Sequence, residues 1–92
     1  MKIMIVWKTV PGKYKHALEA FLRGGGPIPP GATTLGRWHV PGSIQGWHLV
    51  EGDLTAVGQH VAEWADLLEI EVYPVVDDAG AADAARRVFG SK

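Results

Sequence analysis

The sequence predicts an α+β fold: a four-stranded antiparallel sheet with its two main helices on one face and a third helix at the C-terminus. Three observations predict it. Apolar residues switch repeatedly between runs suited to strands and a spacing near 3.6, in the order β-α-β-β-α-β-α. Glycine and proline cluster between those segments, at Pro11-Gly12, at 24–31 and at Pro41-Gly42. The two middle strands are adjacent and joined by a short turn, so they pair as an antiparallel hairpin.

The elements follow in order. "KIMIVWKTV" (Lys2–Val10) is rich in β-formers and reads as a strand buried on both faces. In the next segment Tyr14, Ala17, Leu18, Phe21 and Leu22 form the stripe of an amphipathic helix that Gly24 to Gly26 stop; His16 lies at its margin, on the surface. "GGGPIPPGA" can be neither helix nor interior strand, and reads as a connector or as the rim of a pocket. "TTLGRWHV" and "GWHLVEG" are the hairpin strands around "PGSIQ". Asp53 then offers an N-cap to a helix whose apolar face is Leu54, Val57, Val61, Trp64, Ala65 and Leu68. "EIEVYPVV" alternates Ile70 and Val72 against Glu71 and Tyr73, and Pro74 suits an edge strand. An alanine-rich helix at about 79–89, capped by Asp77 or Asp78, closes a single domain spanning 1–92. The first six elements make the split βαβ, ferredoxin-like pattern.

Composition narrows the functions. The formal net charge is −1 and Lys and Arg form no run, so neither nucleic acid nor an anionic membrane is an expected partner. Without cysteine there is no disulfide, thiolate nucleophile or zinc–sulfur site, and a cytoplasmic setting is the default expectation. The apolar N-terminal stretch is broken at Trp7-Lys8 with no small-residue cleavage site after it, so a signal peptide is not expected. No P-loop, dinucleotide fingerprint or nucleophile elbow is present.

"LGRWHVPG" (Leu35–Gly42) carries the candidate chemistry. Alternation places Arg37 and His39 on one face of the strand and Trp38 on the other. The expectation is that Trp38, with Trp64, fills the helix-covered core. Arg37 and His39 then project with Glu71 and Tyr73 onto the second sheet face, which two copies could stack into a shared, lined cavity. His39 could act as a general base or hydrogen-bonding group, and Arg37 could hold a carboxylate or phenolate. The bland alternative is that both are satisfied inside the protein, Arg37 by Glu51 or Glu71. Two registers are open: His39 opposite His48, or His39 opposite Trp47 with Glu51 diagonal to Arg37. Trp7, Trp47 and Tyr73 are candidate walls of an aromatic-ligand cavity, with His48 and Glu51 as further ligand-binding residues. His60 can touch Trp64 one helical turn on. No histidine pair has a recognised metal-ligand spacing, so no metal is expected.

The pieces "MKIMIVWKTVPGKYKHALEAF", "GGPIPPGATTLGRWHVPG", "GWHLVEGD" and "EWADLLEIEVYPVVDD" resemble a family of short proteins known as a domain of unknown function, grouped with the dimeric α+β barrel superfamily. The resemblance runs from Met1 to about Asp78. It implies a homodimer with a central cavity and no established activity. The wider superfamily includes cofactor-free monooxygenases, haem-degrading enzymes and isomerases; the haem enzymes use a helix histidine, for which His60 is a loose match, and haem is not expected here. Two functions follow as expectations. One is a small enzyme, monooxygenase- or isomerase-like and cofactor-free, acting on an apolar, aromatic molecule with His39 and Arg37 catalytic. The other is a non-enzymatic ligand-binding or structural homodimer whose polar groups are satisfied internally.

Overall fold

Seven elements follow one another as the periodicity requires: β1 (Lys2–Thr9), α1 (Tyr14–Gly24), β2 (Ala32–His39), β3 (Gln45–Gly52), α2 (Leu54–Trp64), β4 (Leu68–Val75) and α3 (Asp78–Phe89). The structure, a computed structural model, describes residues 1–90. The strands form one sheet in the order β2-β3-β1-β4, every neighbouring pair antiparallel, which is the ferredoxin-like α+β arrangement. Pro74 lies on the edge strand β4, where its missing N–H costs no ladder bond on the outer side.

The core lies between the sheet and α1 and α2. Ile3, Ile5, Val50 and Val57 are its fully buried centre, with Ile28, Val61, Ile70 and Val72 packed around them. Each such side chain contributes about 1.5–3 kcal/mol by leaving water. Among the described residues nothing covers the sheet's other face, where Trp38, Trp47 and Tyr73 are exposed. The residues of β1 on that side, Met4 and Val6, are half-buried, so β1 is not closed on both faces as its composition suggested.

Helix ends follow their local chemistry. Gly25 takes the left-handed conformation (φ 73°) and donates its N–H to the carbonyl of Phe21, ending α1. Asp77 accepts from the Gly80 N–H at 2.9 Å and caps α3; Asp53 occupies the cap position of α2 without a side-chain bond. The apolar stripes are narrower than predicted. Leu22 and Leu54 are exposed, whereas Ala56 and His60 join Val57 on the buried face of α2.

The hairpin corrects two expectations. Arg37 pairs with His48, Trp38 with Trp47 and His39 with Gly46, which is neither of the two registers the sequence left open. The turn is shorter than either assumed. Val40 donates to Gln45 and Ser43 donates to Val40, with Gly42 and Ser43 both at positive φ. The faces are also reversed. His48 and Val50 lie in the core under α2, so Arg37 and His39, which share their face, point toward the helices, and Trp38 and Trp47 lie opposite each other on the uncovered face. Gly46 explains the choice. A Cβ there would fall within the ring of Trp7 and 2.6 Å from the Trp38 carbonyl, so only glycine leaves the helix face room for that indole.

α3 stands apart. None of its twelve residues is buried, and Val76, Val88 and Phe89 are exposed around it. The radius of gyration is 15.8 Å, against about 12 Å for a compact chain of this length.

Candidate functional site

A pocket opens between the sheet and the two main helices. Its volume is about 60 Å³. Its apolar wall includes Trp7 from β1, Phe21 from α1 and Trp64 from α2; its polar wall is Arg37, His48 and His60, with His39 and Ser43 at the mouth.

A β-bulge arranges the polar wall. The β2–β3 register shifts between Thr34 and Gly36, leaving Leu35 as the extra residue. A bulge inverts the alternation, so Thr34 and Arg37 fall on the same face although three positions apart. Both meet His48. The Thr34 hydroxyl lies 2.7 Å from its Nε2, and the Arg37 Nη2 lies 3.5 Å from Nδ1 and 3.4 Å from Nε2. The Thr34 contact is a firm hydrogen bond; the arginine is near enough to act through its charge but too far for a strong one.

His48 is 1% exposed. Burial first, then the charge of Arg37, then His60, push its pKa down from 6.5 to about 4, so the ring is neutral at neutral pH. His60, from α2, meets His48 edge to face with ring centroids 5.5 Å apart. Its pKa is lowered too, by burial and then Arg37, against the opposing pull of Glu63 and a hydrogen bond to the Pro27 backbone. The His60 Nδ1 is buried with no hydrogen-bond partner among the described residues.

Arg37 is held by the glycine loop. Its Nη1 donates to the Gly25 carbonyl at 2.9 Å and its Nη2 to the Gly26 carbonyl at 2.6 Å, with the guanidinium 6.0 Å from the Phe21 ring centre. The loop is therefore both rim and clamp, since Gly26 itself lines the pocket. Burial lowers the Arg37 pKa without discharging the group. His39 stands edge-on to Trp7 and Phe21, with ring centres 5.1 and 5.3 Å away, and its Nδ1 lies 3.1 Å from the Ser43 hydroxyl.

The candidates read from the sequence are thus divided between two faces. Trp7, Arg37, His39 and His48 meet in the helix-side pocket. Trp47 and Tyr73 do not join them. They lie on the uncovered face with Trp38, where the Tyr73 hydroxyl donates to Glu71, and so cannot wall a cavity with Trp7. Glu51 pairs weakly with Lys2 at 3.9 Å and not with Arg37. Trp64 lines the pocket instead of filling closed core, and Trp38 is 55% exposed. The residue that sequence reasoning undervalued is His60. Its signal was its place in the run Ala56, Val57, His60, Val61, Trp64, an imidazole inside an apolar stripe.

Among the described residues no three His, Cys, Asp or Glu side chains cluster as a metal site. The Arg37 charge beside His48 works against a cation at the histidine pair as well.

Fold and pocket together define a ferredoxin-like α+β protein with a mostly apolar cleft between its sheet and helices. Within that class the chain belongs to the family described as domain of unknown function DUF3303, whose model matches residues 1–89. No curated protein and no solved structure matches the chain. No helix among the described residues is long and apolar enough to cross a membrane.

Proposed function

We propose that this protein binds a small apolar organic molecule, with each chain holding its ligand in the helix-side pocket of a homodimeric barrel. The observation that supports it most is a pocket walled by three aromatic rings and two buried histidines, one of which has an unused nitrogen. Buried polar groups are ordinarily paired, and an exception inside a concave apolar pocket is the pattern of a binding site. Turnover chemistry of the monooxygenase or isomerase kind would fall to His48 and His60, the two imidazoles held neutral inside the pocket. Titration with toluene as an apolar probe, followed by amide NMR, tests the site. Shifts clustered at Phe21, His48, His60 and Trp64 are the expected result, and shifts confined to Trp38, Trp47 and Tyr73 would refute it.

The dimer is supported by two unpartnered surfaces. The uncovered sheet face exposes Trp38, Trp47 and Tyr73. An isolated helix of α3's length is marginal in water, and α3 has no buried residue to hold it. Stacking two sheet faces covers the first surface, and α3 reaching onto the second copy covers the other. Sedimentation equilibrium is expected to give twice the chain mass, and Trp47→Glu to shift it toward the single chain.

A second reading, a structural dimer without a ligand, is favoured by Arg37 and His39. Arg37 is bound to two carbonyls and His39 to Ser43, so both serve the fold. That reading predicts loss of stability on their substitution and no response of the pocket to toluene.

A further inference from the structure

The polar wall of the pocket carries a positive charge with nothing negative against it. Arg37 lines the pocket, half-buried, and none of the ion pairs among the described residues involves it. Its bonds to the Gly25 and Gly26 carbonyls fix the guanidinium in place. They do not cancel its charge, because a carbonyl is a dipole, and a guanidinium with five N–H groups has donors to spare. On its inner side stand two imidazoles: Nη2 lies 3.4 Å from the His48 Nε2, and His48 meets His60 edge to face. His60 supplies a second, independent observation. It lines the same pocket, is 7% exposed, and its Nδ1 is buried without a partner among the described residues. Buried polar atoms are ordinarily paired, and charges drawn out of water still more so. Here a cation without a counter-charge and a ring nitrogen without a partner share one mostly apolar cleft.

We propose that the pocket takes a small apolar molecule carrying a single carboxylate, which Arg37 pairs and His60 hydrogen-bonds through Nδ1. This rests on the helix-side pocket being the ligand site. It holds whichever nitrogen of His60 carries the proton in the free protein. The ring donates from Nδ1 in one neutral tautomer and as the imidazolium, and a carboxylate beside it favours those forms over the bare lone pair. Charge and lining narrow the class. An ammonium would meet the Arg37 charge. A phosphate monoester would bring a second negative charge, and no Lys or other Arg lines the pocket among the described residues to pair it. A phenol, with a pKa of about 10, is neutral near pH 7 and leaves the guanidinium without a counter-charge. The apolar body of the molecule is set by Trp7, Phe21 and Trp64. The volume of about 60 Å³ takes the carboxylate and the first few carbons, and the rest extends toward the mouth at His39.

The experiment compares four probes by amide NMR titration: benzoate, benzamide, toluene and benzylammonium. Benzoate and benzamide share a shape and differ in charge. A purely apolar pocket ranks toluene first, because a carboxylate leaves water at far greater cost. Pairing with the guanidinium reverses that order. Benzoate is expected to bind about tenfold or more tighter than benzamide, and tighter than toluene, with shifts at Phe21, Arg37, His48 and His60. Benzylammonium is expected to leave the pocket unperturbed. In Arg37→Met the preference for benzoate over benzamide is expected to vanish. That substitution also loosens the loop, so the unsubstituted protein gives a second readout: the Arg37 Nε resonance is expected to move with benzoate and not with toluene. His60→Phe is expected to weaken benzoate about threefold or more and to leave toluene binding in place. Toluene, benzamide or benzylammonium binding in the pocket as tightly as benzoate would overturn the carboxylate assignment and leave the pocket intact as a site. Benzoate shifts confined to the exposed Arg86 and Arg87 of α3, or benzoate binding unchanged in both variants, would overturn it as well. Failure of all four probes to perturb the pocket would remove the site and the carboxylate assignment together.

Discussion

Acidification below about pH 6.5 is expected to destabilise this fold, and His48 is the reason. The unfolded chain takes up a proton on this ring below about pH 6.5. In the folded chain its pKa is about 4, chiefly through burial, then Arg37, then His60. Between those values the unfolded state binds the extra proton, so stability rises with pH and falls as the solution is acidified. The stability associated with the neutral ring is complete above about pH 6.5 and is lost as the pH drops toward 4. The depression is worth on the order of 2–3 kcal/mol, the lower end applying because water at the pocket mouth screens the site. His60 shifts in the same direction and adds to the loss. For a domain with about 5–15 kcal/mol in total this is a large share. Urea unfolding followed by tryptophan fluorescence, at steps from about pH 7.5 to about pH 4.5, measures it. His48→Gln keeps a hydrogen-bonding group for Thr34 and removes the titration, so its stability is expected to fall less steeply across the same window. Equal slopes in the two proteins, or a flat profile above pH 5 in the unsubstituted one, would refute the reasoning.

The remaining predictions concern packing, the loop and assembly. Gly46→Ala forces a methyl group into Trp7 and is expected to cost about 1–3 kcal/mol in urea unfolding. Gly58→Ala, on an exposed turn of α2 with nothing within 4 Å of the added carbon, is expected to stabilise by about 0.5–1 kcal/mol in the same assay. Arg37→Met removes two bonds to the loop and is expected to cost about 1.5–3 kcal/mol. It should also speed amide exchange in residues 24–30 more than in β1. Ending the chain after Asp77 is expected to weaken the dimer while the circular dichroism of the sheet persists, as checked by sedimentation.

Much of the fold was legible because each signal is local. The stripe through Ala17, Leu18 and Phe21, the glycines that end α1, Asp77 as a cap and Pro74 at an edge each act within a few residues of themselves. The site was less legible because it depends on one residue of register. Alternation correctly separated Trp38 from Arg37 and His39. It could not say which group faced the helices, because that follows from Val50 and His48 being buried on the neighbouring strand. The bulge at Leu35, marked only by the in-strand Gly36 beside it, brings Thr34 and Arg37 onto one histidine. Gly46 was readable in hindsight: a glycine inside an apolar strand marks a close approach, here by Trp7.

The most direct test of the central claim, that the ligand site lies between sheet and helices and the uncovered sheet face joins two copies, is a crystal structure grown with toluene. The expected structure has two chains meeting through Trp38, Trp47 and Tyr73, with the compound beside His60 and Trp64 in each. The compound lodged between the two sheet faces, or chains whose uncovered faces meet nothing, would contradict it.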